Sequence, residues 1–101
     1  MLCAISASPY YNDFSSLINL LTKQDEVLLL QNGVLMGHKI YSKNKDNKYV
    51  TQLRNKGIHI FALEDDVDAR GLTLYMSSYI RQISYIDFVQ LTVKHQQYFS
   101  W

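Results

Sequence analysis

Val27-Leu28-Leu29-Leu30 is apolar at every position and ends at Gln31-Asn32-Gly33. A strand with one wet face alternates apolar and polar residues. An unbroken apolar run belongs to a parallel-type strand covered on both faces. Gly33, at the end of the run, is free to take a positive φ where the chain turns.

Working outward from this strand, Leu2-Cys3-Ala4-Ile5 is a second short apolar run, closed by the turn formers Ser6-Ala7-Ser8-Pro9. Between the two, Phe14, Leu17, Ile18 and Leu21 fall at helical spacing behind Asn12 or Asp13 as a cap. Downstream, Ser42-Lys43-Asn44-Lys45-Asp46-Asn47-Lys48 is the most polar stretch. It reads as a solvated loop leading to a short helix over Tyr49–Asn55, which Gly57 stops. Ile58–Leu63 reads as a third strand. Glu64-Asp65-Asp66 then begins a helix with acids where the dipole favours them; Asp66 and Arg70 are spaced to pair, and Gly71 ends the turn. Tyr79–Ile83 carries Arg81 and Gln82 in its middle, the mark of a guarded edge strand. Ser84 and Asp87 form a pair like a capping box, opening a helix to about His95 that buries Phe88, Leu91 and Val89, with Lys94 and His95 in its last turn.

Strand and helix alternate, so the class is α/β: a small, open, mainly parallel four-stranded sheet with helices on both faces, as one domain over residues 1–101. A flavodoxin-like order 2-1-3-4 places Arg81 and Gln82 at one edge. The same order puts Val27–Leu30 at the other edge without a charge to guard it, so either the order differs or something covers that flank.

The chain has 101 residues, 48% hydrophobic and 19% charged, a globular composition. Ten basic and nine acidic residues leave a net charge of +1, with no basic stripe of the kind a nucleic-acid binder carries. A single cysteine excludes an intramolecular disulfide and a cysteine cage for zinc or iron–sulfur. No apolar run approaches the roughly 18–20 residues needed to cross a bilayer, and the amino end lacks a signal-peptide pattern; the expected compartment is the cytosol.

Cys3 is the one candidate nucleophile. A reactive thiol needs exposure and a lowered pKa, whereas Cys3 sits inside a strand with apolar neighbours and reads as a core residue. His38, His59 and His95 share no ligand spacing, so no metal and no cofactor is expected. Glu64-Asp65-Asp66 reads as helix capping, Ser6 and Ser8 as turn residues, and Lys39, Lys43, Lys45 and Lys48 as a solvated loop. Tyr98, Phe99 and Trp101 resist so plain a reading: three aromatics in a tail must fold back or meet a partner. With Val27 and Leu29 of the unguarded strand they form the expected partner interface. The same features and the low net charge predict self-association of the chain when alone.

Several segments carry a resemblance. Leu28-Leu29-Leu30-Gln31-Asn32-Gly33-Val34, Phe61-Ala62-Leu63-Glu64-Asp65-Asp66 with Ala69-Arg70-Gly71, and Tyr85 with Asp87-Phe88-Val89-Gln90-Leu91-Thr92-Val93-Lys94-His95 and terminal Trp101 resemble the DsrE/DsrF/DsrH-like family of small sulfur-relay proteins, in its TusB/DsrH branch. The resemblance implies a non-catalytic subunit that joins TusC-like and TusD-like paralogues in a dimer of heterotrimers. Such a complex passes persulfide sulfur to a TusE-like acceptor for 2-thiolation of the wobble uridine of tRNA, which this chain meets only indirectly. The sulfur-carrying cysteine then belongs to the TusD-like partner. Some DsrH-like relatives have a cysteine in the loop after the first strand; here Ser6 to Asn12 contains none. Asn32, where an aspartate is usual, and Gln96, where a proline usually follows the histidine, depart from the pattern. Two rival readings stand beside this one: a carrier using its own Cys3, and an α/β adaptor unrelated to sulfur.

Overall fold

The computed structural model describes residues 1–39 and 45–101, so Lys43 and the Ser42–Asn44 part of the polar loop lie outside the described residues. The strands are β1 (Leu2–Ile5), β2 (Glu26–Leu29), β3 (His59–Leu63), β4 (Arg81–Ile83) and β5 (Tyr98–Ser100). The helices are α1 (Ser15–Leu20), α2 (Lys48–Asn55), α3 (Glu64–Ala69) and α4 (Tyr85–Lys94), with a 3-10 helix at Gln31–Gly37.

All pairings within the sheet are parallel and its order is β4-β3-β2-β1-β5. The α/β class with a parallel sheet between helices is therefore as expected; the order 2-1-3-4 and the count of four strands are not. The aromatic tail is itself a strand and closes the flank of β1, with Cys3 level with Val27 on one side and Phe99 on the other. β2 pairs with both β1 and β3 and lies at the centre of the sheet. Val27, Leu28 and Leu29 are fully buried, each worth about 1.5–3 kcal/mol in transfer from water. Val27 and Leu29 present no surface to a partner, which corrects their assignment to an interface. β4 is an edge, as Arg81 and Gln82 indicated.

Strand alternation divides the core between the two faces. Cys3, Ile5, Val27, Leu29, Ile60 and Ala62 join Leu17 and Ile18 of α1, Val34 and Met36 of the 3-10 helix, Tyr49, Val50 and Leu53 of α2, and Val67 of α3. Leu2, Leu28 and Ile83 form the other cluster, with Phe61, Phe88 and Leu91 packed on it. The three connections that step from β1 towards β4 share the first face; the one that returns from β4 to β5 crosses the second. One hand for every crossover requires that division.

Local chemistry explains the element ends. The Ser84 hydroxyl accepts the Asp87 N–H at 3.2 Å and caps α4, and Asp13 Oδ1 accepts the Ser15 N–H at 2.9 Å at the start of α1. Gly57 and Gly71, at φ +75° and +67°, end α2 and α3 in the left-handed region. Gly33 is required for a different reason than its expected φ. A Cβ built there would stand 1.9 Å from the Ile5 carbonyl oxygen, so the 3-10 helix passes directly under β1. Val89, expected to be buried, faces water.

Candidate functional site

Cys3 lies in β1 between two neighbouring strands and is fully buried. Burial pushes its thiol up to about 11, and the negative charge of Asp25 adds to the rise. Near neutral pH it is a thiol and not a thiolate, and only the thiolate attacks or carries sulfur. The loop after β1 offers no substitute nucleophile. Ser8 Oγ accepts the Tyr10 N–H at 3.2 Å, Asn12 donates to the Ser8 carbonyl at 2.9 Å, and Ser6 Oγ donates to the Trp101 carbonyl at 3.3 Å. These serines serve the turn and the docked tail.

At the carboxyl ends of β2 and β3, Asp66 accepts the backbone N–H of Gln31 at 2.8 Å, holding Gln31 at φ +48°. Arg70 does not pair with the Asp66 carboxylate as its spacing suggested. Its guanidinium donates to the Asp66 carbonyl at 3.0 Å and to Asn32 Oδ1 at 3.0 and 3.3 Å. The group therefore fixes the turn after β2 against α3.

A polar cluster that the sequence did not reveal lies on the other face. Glu26, the first residue of β2, is buried with its side chain beside α4. Its Oε1 contacts His95 Nε2 at 2.7 Å and accepts from Lys94 Nζ at 3.1 Å, while His59 Nδ1 stands 3.6 Å from Oε2. Burial alone would raise the Glu26 pKa, but the hydrogen bonds from His95 and Lys94, with their charges, outweigh it and hold the carboxyl below its usual range. Read as isolated helix-end cations, Lys94 and His95 gave no hint of this partner. An acid at the head of an all-apolar strand was the available signal. Beside the cluster, a cleft of about 310 Å³ opens between α4 and β3–β4, lined by Glu26, Phe61, Arg81, Ile83, Asp87, Gln90, Leu91 and Lys94. Among the described residues no three His, Cys, Asp or Glu side chains are grouped to hold a metal ion.

The tail residues come together at the β5 edge. Tyr98, Phe99 and Trp101 are 52%, 39% and 41% exposed, and the Trp101 ring meets Phe14 edge-on at 5.9 Å. Their backbone is tied to β1 by the Trp101 N–H to the Ala4 carbonyl at 2.8 Å and the Ser6 N–H to the Trp101 carbonyl at 3.0 Å. The tail thus folds back and still leaves half its aromatic surface in water.

A family model described as DsrH like protein matches residues 7–98. The chain belongs to the DsrH-like family. Two of its relatives are Protein TusB of Escherichia coli O139:H28 (strain E24377A / ETEC) and Protein TusB of Shigella boydii serotype 18 (strain CDC 3083-94 / BS512). Each is 44% identical over 101 residues, the whole of both chains. The ychN protein from E. coli has the same fold at TM-score 0.75 and 16% identity, covering 99% of this chain and 97% of that one. Protein Tm0979 from Thermotoga maritima follows at 0.65 and 19%, covering 96% and 97%. In this DsrH-like chain, the Leu91–His95 stretch that carried the resemblance is the part of α4 that grips Glu26. No helix among the described residues is long and apolar enough to cross a membrane.

Proposed function

We propose that this chain is a non-catalytic, cytosolic subunit of a TusBCD-like sulfurtransferase complex. TusC-like and TusD-like paralogues complete the particle, and a TusE-like acceptor takes its persulfide sulfur towards 2-thiolation of the tRNA wobble uridine. The full-length identity to proteins named TusB supports the assignment to such an assembly. The observation that carries the non-catalytic part is the burial of the single thiol, with its pKa pushed up to about 11. A carrier must expose a thiolate to a donor and an acceptor in turn, and a cysteine walled in by β2 and β5 does neither. The half-exposed aromatics of β5 supply contact surface of the type that anchors interfaces.

Co-expression with its two paralogues tests the assembly. Native mass spectrometry is expected to show a discrete hexamer with two copies of this chain. A chain that purifies away from both paralogues would favour an adaptor role unconnected with sulfur.

A further inference from the structure

The cleft between α4 and β3–β4 has an apolar floor of Phe61, Ile83 and Leu91 and a rim of charge. Phe61 of β3 is level with Arg81 of β4, and strand alternation turns Arg81 and Ile83 to the same face of the sheet, the one that α4 covers. On the helix, Asp87, Gln90, Leu91 and Lys94 stand three or four residues apart in turn, which sets them along one side. Lys94 is held by Glu26 at 3.1 Å, so this pair of opposite charges is matched within the chain. Arg81 and Asp87 are both exposed, and among the described residues neither side chain has a hydrogen-bond or ion-pair partner.

An arginine can guard an edge strand, and an aspartate suits the first turn of a helix. Neither role requires the two to border one apolar cleft with their charges unpaired. Glu26 and Asp87 balance Arg81 and Lys94 in the lining, so a plain anion or a plain cation meets repulsion as well as attraction. With Lys94 engaged by Glu26, one positive and one negative group remain to be met. The ligand that matches them carries both charges beside an apolar body. At about 310 Å³ the cleft lies at the small end of small-molecule sites, which suits a single amino acid and not a folded segment of another chain.

We propose that this cleft binds a free α-amino acid with an apolar side chain. Its carboxylate meets the Arg81 guanidinium, whose planar fork suits bidentate pairing, and its ammonium group meets Asp87. Its side chain lies on Phe61, Ile83 and Leu91, and the Gln90 amide offers a further donor and acceptor. Both charged groups stand in water, so binding is weak, with a dissociation constant on the order of 1 mM. Such binding is independent of the sulfur-relay reading.

Titration of the isotope-labelled full chain with L-leucine to about 20 mM, followed by NMR, tests this. Saturable shifts are expected at Phe61, Ile83, Gln90 and Leu91 and not at Tyr98–Trp101. Isocaproate, which is leucine without its ammonium group, and isoamylamine, which is leucine without its carboxylate, are each expected to bind at least about tenfold more weakly. Glycine, without an apolar body, should lose about as much. Arg81→Gln and Asp87→Asn should each raise the dissociation constant for leucine at least about tenfold, with circular dichroism to check that both variants stay folded. The leucine analogues decide the matter on wild-type chain if a variant fails to fold. No saturable shift up to about 20 mM overturns the proposal. So does isocaproate or isoamylamine binding as tightly as leucine, or leucine binding that both variants leave unchanged.

Discussion

Glu26 heads β2 and takes both Lys94 and His95, joining the last turn of α4 to the middle of the sheet. Glu26→Gln keeps the size and removes the charge, and is expected to cost about 1–3 kcal/mol near neutral pH, as losses of charged hydrogen bonds do. A carboxyl held below its unfolded pKa contributes stability that is present above that pKa and lost as pH falls through the folded value. The gap between wild type and Glu26→Gln in denaturant melts should therefore shrink from about pH 5 to about pH 3, around and below the unfolded glutamate value. A gap that widens on acidification would contradict the ion cluster. Gly33 gives a sharper steric test. With the Ile5 carbonyl oxygen 1.9 Å from the position of a Cβ, Gly33→Ala forces backbone apart and should cost more than about 3 kcal/mol. At Gly37 the nearest atoms are the ends of the Met76 and Ile80 side chains, which can move, so Gly37→Ala in the same melts is the milder control.

β5 and α4 carry exposed aromatic and apolar side chains, and they were legible to different degrees. Removing Tyr98–Trp101 would strip the ladder from β1 and the ring contact from Phe14, so truncation is expected to lower the melting temperature by more than about 5 °C. Tyr98→Ser leaves the ladder in place and trims an exposed ring. It should hardly move the melting temperature, yet weaken retention of the paralogues in a pull-down. Unchanged retention would confine the tail to its role in the sheet. β4 could be recognised as an edge because Arg81 and Gln82 interrupt its apolar pattern. β5 could not be recognised as a strand, because three exposed residues carry no alternation. That omission left β1 without its outer neighbour; the expected order failed separately by setting β3 beside β1 and not beside β2, although the unguarded run Val27–Leu30 already argued for an interior place. The capping of α4 by Ser84 was readable from local spacing, whereas the Glu26 cluster spans 69 residues of chain between Glu26 and His95 and leaves no local pattern.

Across the whole molecule the two faces are unequally clothed. Among the described residues, one bears α1, α2, α3 and the 3-10 helix and the other bears α4 alone, whose outer side chains Ile86, Val89 and Val93 remain in water. The single thiol lies inside this sheet, and on the proposed reading what the molecule offers to others is surface and not a reactive group. Sulfur loading of the reconstituted complex tests that account most directly. A cysteine desulfurase supplies tagged sulfur, and mass spectrometry locates it on each subunit of complexes built with wild-type chain and with Cys3→Ala. The account predicts label on a paralogue and none on Cys3, with transfer to the acceptor unchanged by Cys3→Ala and only about 1–2 kcal/mol of stability lost with the buried sulfur. A persulfide on Cys3, together with loss of transfer in Cys3→Ala, would contradict it.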